Sequence, residues 1–258
     1  SPSKGVLWGW EVPAYVWTKA AATGTFLMMH FWNIFNNGIS KLTEFQGLMI
    51  TIFFMILTGG LLIKDLDRPD RFLYVLLRPQ WKSWLVKGAY IITAFGGIVG
   101  LKILDNIFIL NLHWLWYPGS LFSIFGATYT AFLFNQARAR DFWQTPIQSA
   151  VHMQIHAIMA GAIAMIFIQP GSIMVMSQIL FIGIILNLLI IFKEINFYHD
   201  TTDTKKAVTL MTKGYYSKYF WIGVLIGNLV PLFLLIFFTE SLLMPACLLV
   251  LIGIFLTE

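Results

Sequence analysis

The chain has 258 residues, of which 58% are hydrophobic and 11% charged, with a formal net charge of +5 and a mean hydropathy of +0.76. A soluble domain carries about 25% charged residues, so these charges are too few to wet an ordinary surface; the 23 Phe and 10 Trp exclude disorder. The single cysteine, Cys247, excludes a disulfide scaffold, Cys-ligated zinc and a thiolate-held iron–sulfur cluster in this chain.

The apolar runs are continuous and near the roughly 20 residues that a spanning helix needs, which predicts an all-α membrane protein. Eight spans are expected, at about 12–33, 47–63, 84–104, 114–135, 147–169, 173–192, 219–238 and 242–257. Lys19 interrupts the first and nothing near it reads as a cleavage site, so it is not a signal peptide. The last two are joined only by Thr239-Glu240-Ser241. No stretch between spans is long enough for a soluble domain.

Lys and Arg set the orientation. The N-terminus and the loops after spans 2, 4 and 6 hold 14 of them, while the other side holds only Lys41 and Lys102. Both termini are therefore expected in the cytoplasm, and the positive charge belongs to topology and anionic lipid; no nucleic-acid partner is needed. Pairs of small residues, Gly96 with Gly100, Ala157 with Gly161, Ala160 with Ala164 and Gly223 with Gly227, predict close helix packing. Pro231 and Pro245 are expected to kink the last two spans or mark their ends.

Polar residues at membrane depth are the candidate functional residues. In the first span Lys19 and His30 share a face to within about 20°, with Thr23 and Asn33 close to it. Lys19 has two readings, a functional group or a side chain snorkelling to headgroups. His30 likewise is either a reactive imidazole or a histidine satisfied by a neighbouring helix. In the second span Glu44, Thr51, Thr58 and Asp65 recur every seven residues, drifting only about 20° per heptad. His30 and Glu44 are expected to share one outer pocket able to exchange protons near neutral pH. Thr51 and Thr58 have the alternative of bonding back to their own helix.

The fourth span opens with His113-Trp114-Leu115-Trp116-Tyr117, an aromatic belt in which Tyr117 could also hydrogen-bond a ligand. Asp105 and Asn106 end the third span on the same outer side, where they are also readable simply as wetted loop residues. In the fifth span His152 and His156 lie at i and i+4, on one face. Lacking a carboxylate motif or a facing histidine pair, they fit a proton relay or interhelical hydrogen bonding better than a metal or haem. Lys19, Thr51, Thr58, Asp65, His152 and His156 are the candidates for a proton route.

Two stretches resemble the membrane subunit of the NrfD/polysulfide-reductase family. From Asp65 to Tyr90, DLDRPDRFLYVLLRPQWKSWLVKGAY, the matching residues are Asp65, Leu66, Pro69, Arg71, Phe72, Ser83, Trp84 and Gly88. From Tyr129 to Ala164 they are Ala137-Arg138, Phe142-Trp143, Pro146 and Gly161. The Gly9-Trp10 pair and the Tyr15–Gly24 run fit more loosely. Family members carry a glycine-rich first span where this chain has Lys19 and three alanines.

The resemblance implies one transmembrane domain over residues 1–258, with a quinone-binding bundle of four spans and a second bundle of four. It implies a quinone-reactive anchor (menaquinone or ubiquinone) in a bacterial inner membrane, without haem or iron–sulfur cluster. The partners it implies are a ferredoxin-like iron–sulfur subunit and a larger catalytic subunit holding molybdopterin or multiple haems. His30, Asn33, Glu44 and Tyr117 fall where relatives hold quinone, with His30 and Glu44 as the proton acceptors. The alternative class is a proton-coupled secondary transporter, which would need repeat symmetry that the sequence does not show. The chain begins at Ser1 and ends just after an apolar run, so it is also readable as a piece of a longer protein.

Overall fold

The computed structural model describes residues 10–64, 76–136, 146–196, 208–214, 217–237 and 242–257. These are helical, with no strand among them. The helices are α1 (Glu11–Phe35), α2 (Lys41–Lys64), α3 (Trp84–Phe108), α4 (Trp116–Gln136), α5 (Pro146–Ile168), α6 (Ile173–Asn196), α7 (Ser217–Phe237) and α8 (Leu243–Thr257). Five of them, α2, α3, α5, α6 and α7, are long and apolar enough to cross a membrane. The shorter α8 is apolar throughout.

The two other long helices, α1 and α4, read as more polar because of where they sit. α1 packs against α2, α4 and α5, and 17 of its 25 residues are buried, including Thr18, Lys19, Thr23, Thr25 and His30. Its hydroxyls are satisfied locally: Thr23 donates to the Lys19 carbonyl at 2.8 Å and Thr25 to that of Ala21 at 2.7 Å. A helix shielded by its neighbours can carry polar groups that a lipid-facing helix cannot.

Small residues set the closest approach. A Cβ placed on Gly24 would lie 1.7 Å from the Ala157 carbonyl oxygen, and one on Gly161 would lie 2.0 Å from that of Gly24. The Ala157–Gly161 pair therefore seats α5 on α1, backbone to backbone. Gly227 meets Gly253 in the same way, 2.1 Å from a would-be Cβ to the Gly253 Cα, and joins α7 to α8. The Gly96–Gly100 pair does not act so: Gly100 faces open space and Gly96 meets only the tip of Met55.

Both prolines sit where the helix can spare a hydrogen bond. Pro231 follows a π turn at Leu225–Leu229, whose wider ring relieves the clash a proline makes with the preceding turn. Pro245 lies in the first turn of α8, where its missing N–H has no intrahelical partner to lose.

Connections and contacts define two ends of the bundle. At the proximal end, where α1 begins, Glu11 pairs with Lys64 at 3.2 Å and Trp84 N donates to Gln136 Oε1 at 2.9 Å. At the distal end Asn106 donates to the Lys41 carbonyl at 3.1 Å and Thr43 to Gln169 Oε1 at 2.7 Å.

Candidate functional site

The distal end gathers polar side chains from four helices. His30, in the last third of α1, faces the start of α4. Its Nδ1 lies 2.6 Å from Ser120 Oγ, its ring stacks on Trp116 (centroids 5.5 Å, 13° between planes), and the Tyr117 ring meets it edge-on at 5.2 Å. Either atom can be the donor in this contact; where the Ser120 hydroxyl donates to Nδ1, the ring proton resides on Nε2. Nε2 itself has no partner among the described residues. His30 thus presents a ring nitrogen beside an aromatic face.

Trp116 links this histidine to an ion cluster. Lys102 Nζ lies 4.9 Å from the Trp116 ring centroid, 2.8 Å from Glu44 Oε1 and 2.9 Å from Asp105 Oδ2. The Asp105 contact is a hydrogen bond. The Glu44 contact is close in distance but poorly angled, and Glu44 Oε1 accepts no hydrogen bond. Asp105 Oδ1 accepts the Leu112 N–H at 3.0 Å, folding the 109–112 loop back over the cluster. That fold-back sets Ile109 in the left-handed region at φ 57°, an unfavourable conformation for a β-branched residue. One buried cation between two carboxylates leaves a net negative charge, and a carboxylate oxygen with spare accepting capacity.

The sequence singled out His30, Asn33, Glu44 and Tyr117 for this place. His30 and Glu44 both lie at the distal end, joined through Trp116 and Lys102 with no direct bond between them. Tyr117 is 69% exposed, with its ring over His30 and its outer face open. Asn33 is half-buried and makes no side-chain hydrogen bond among the described residues. Lys102 and Asp105 correct the sequence reading. Lys102, one of the two outer topology charges, has a fully buried side chain, and Asp105 is buried within α3 rather than wetted in a loop. Their i, i+3 spacing inside an apolar run was the available signal. Nothing in the sequence marked Ser120 or set Trp116, which is 2% exposed, apart from Trp114 at 61%.

The remaining candidates lie elsewhere. Lys19 is buried; it donates to Thr130, with its ammonium 4.6 Å from the Tyr129 ring centroid, so it does not snorkel. Thr51 bonds back to the Gly47 carbonyl at 2.8 Å. Thr58 does the same to Phe54 at 2.7 Å and also reaches Thr18 at 2.8 Å, tying α2 to α1. His152 and His156 are buried at the α5–α6 interface, in the half of the bundle away from His30. Asp65 lies outside the described residues. Among those residues no group of three or more His, Cys, Asp or Glu could hold a metal ion. A separate cavity of about 270 Å³, between α6 and α7 and lined by Met174, Ser177, Gln178, Phe181 and Leu235, touches none of these side chains.

The family model described as polysulphide reductase, NrfD, matches residues 2–258. The chain belongs to the NrfD family. Family membership makes it a membrane subunit of the polysulphide reductase class of complexes. No curated protein matches it. Of the NrfD motif residues, Asp65, Leu66, Pro69, Arg71 and Phe72 lie outside the described residues, as do Ala137, Arg138, Phe142 and Trp143. Trp84, Gly88 and Gly161 join helices. Trp84 stacks on Phe132 with centroids 4.6 Å apart, and Gly88 leaves room for the Tyr129 ring, which a Cβ there would meet at 2.2 Å. Trp84 and Gly88 hold the start of α3 to the end of α4, and Gly161 holds α5 to α1.

Proposed function

We propose that this NrfD-family chain is the quinone-reactive anchor of a bacterial inner-membrane oxidoreductase, with eight spans and both termini in the cytoplasm. Electrons pass between a membrane quinone and a ferredoxin-like iron–sulfur partner, which connects to a larger catalytic subunit. The observation that carries this reading is His30 Nε2, unpartnered among the described residues beside the Trp116 and Tyr117 rings, at the end of the bundle that also holds the Glu44 carboxylate. A quinone headgroup needs a donor at its carbonyl, a flat apolar surface and a proton acceptor within reach; His30, Trp116 and Glu44 are the distal residues suited to these roles.

Bound there, the quinone supplies two-electron chemistry. The protein's part is binding and proton handling. His30 Nε2 donates to a carbonyl oxygen, Ser120 fixes the tautomer, and the Trp116 and Tyr117 rings flank the headgroup. Glu44, ion-paired with Lys102, is the second proton acceptor. Lys19, Thr51, Thr58, Asp65, His152 and His156 remain the candidates for proton movement across the bilayer.

Replacing His30 with Ala is expected to abolish quinone turnover while the complex still assembles with its partners. Turnover at the wild-type rate would place the quinone elsewhere. A transporter would show substrate-dependent proton movement without an iron–sulfur partner, so the identity of the co-purifying subunits separates the two classes.

A further inference from the structure

Helices α6 and α7 are closed against one another at one end and parted at the other. In the proximal half Ile191 packs with Phe220 and Val224. At mid-depth the Asn187 oxygen lies 2.7 and 3.0 Å from Nε2 of His152 and His156, and its amide nitrogen donates to Asn228 Oδ1 at 2.8 Å. Asn228, in the π turn of α7, donates to the Gly223 carbonyl at 3.2 Å. In the distal half the two helices leave the cavity of about 270 Å³ between them. Met174, Ser177, Gln178 and Phe181 line it as one stripe of α6, at i, i+3, i+4 and i+7, and Leu235 of α7 faces them. It opens to the outside of the bundle, where Met174 is 74% exposed and Gln178 is exposed as well.

Gln178 is out of place on such a surface. From Ile173 to Phe192 the polar residues of α6 are Ser177, Gln178 and Asn187. Ser177 bonds back to the Met174 carbonyl at 2.9 Å, and Asn187 is bonded on both sides of its amide. The Gln178 amide makes no hydrogen bond among the described residues. An amide left unpaired against hydrocarbon is costly, so the membrane itself must supply its partner.

Depth selects that partner. The 24 residues of α6 span about 36 Å at 1.5 Å per residue, against a hydrocarbon core of about 30 Å. Gln178, five residues from the distal start of α6, then has its backbone about 4–5 Å below the edge of that core. Helical side chains lean toward the N-terminus of their helix, here the distal surface. The amide therefore reaches the level at which acyl chains join their ester groups.

We propose that this cavity binds one acyl chain of a distal-leaflet phospholipid, with the Gln178 amide donating to the ester carbonyl of the same chain. An apolar cavity of about 150 Å³ takes up a benzene, so the space here holds roughly ten carbons of the chain. Met174, Phe181 and Leu235 are its apolar walls. None of the five lining residues titrates, so the site offers a quinone no proton acceptor and a charged headgroup no counter-ion; an ester carbonyl is what the amide suits. The proposal rests on the membrane class of the chain and stands whether or not His30 binds quinone.

The test is native mass spectrometry of the full chain, released into detergent from nanodiscs that hold diacyl phosphatidylglycerol and its dialkyl ether analogue in equal amounts. The expected result is a retained phospholipid, with the diacyl form favoured about fivefold, the effect of one neutral hydrogen bond. Gln178→Leu should erase that preference, and Ser177→Phe, which fills the cavity, should remove most of the retention of either lipid. A wild-type chain that retains no lipid, or equal retention in folded Ser177→Phe, overturns the site; an unchanged preference in folded Gln178→Leu overturns the ester contact. Where a variant does not fold, the wild type decides with phosphatidylglycerol carrying a diazirine on its acyl chain. Crosslinks should concentrate on residues 174–181 over the exposed Leu101, Leu104 and Phe108 of α3, and excess unlabelled diacyl lipid should chase them. No enrichment, or a quinone or second polypeptide found on residues 174–181 in place of lipid, overturns the proposal.

Discussion

The His30 imidazole lies nearly parallel to the Trp116 indole, 13° between planes and 5.5 Å between centroids, while Ser120 holds its Nδ1 at 2.6 Å. Stacking fixes the plane of the ring and the hydroxyl fixes its rotation and tautomer. Together they aim Nε2. Ser120→Ala removes only the second constraint. A single neutral hydrogen bond contributes about 1 kcal/mol, so a quinone analogue should bind roughly fivefold more weakly, as read by quenching of tryptophan fluorescence. Equal binding in the variant would show that the Ser120 contact does not orient the ring.

Lys102 is the only cation contacting Glu44 and Asp105 among the described residues. Lys102→Met leaves two carboxylates facing one another in a buried site, a loss of about 3–5 kcal/mol of stability. Adding Glu44→Gln and Asp105→Asn to that variant should restore most of it, because a site without charge needs no counter-ion. Thermal unfolding in detergent reads both. A Lys102→Met chain as stable as wild type would mean that the cluster is solvated.

The α1–α5 contact has no room for a side chain at Gly24 or Gly161. Even Ala at either position forces the backbones apart, and overpacking of this kind costs about 1–3 kcal/mol or more. Gly100, which faces open space, is the control. Its replacement by Ala should be neutral or stabilise the helix by up to about 1 kcal/mol. The spread between the three variants in melting temperature tests the packing directly.

Cys247 is fully buried and unpaired. A maleimide should leave it unmodified in the folded chain and label it on unfolding. In a Cys247→Ala background, Asn36→Cys in the exposed turn after α1 and Lys64→Cys at the other end of α2 report topology. If the positive-inside rule holds here, an impermeant maleimide added to intact cells labels the first and spares the second. The reverse pattern would invert the chain in the membrane.

The boundaries of the helices were largely legible in the sequence, and their misses are instructive. The span expected at about 47–63 begins at Lys41, and that expected at about 84–104 runs on to Phe108. In both cases an apolar window stopped at charged residues, Lys41 and Glu44 in one and Asp105 in the other. Glu44 and Asp105 are tolerated within the helices because Lys102 pairs with both, with Asp105 along α3 and with Glu44 across the α2–α3 interface. Hydropathy measures each segment against lipid, so it undervalues a charge whose partner lies on another helix.

Sequence alone determined the helical membrane class, the stripe that puts Lys19 and His30 on one face, and the small residues that seat α5 on α1. Those features depend on helical period and on side-chain size, which are properties of a single segment. The tertiary structure decided that His30 meets Ser120 and Trp116, that Glu44 is reached through Lys102, and that two histidines share the oxygen of Asn187. Each of these pairings depends on which helices are neighbours and how they are rotated. That arrangement is fixed by the packing of the whole bundle, and no local pattern encodes it.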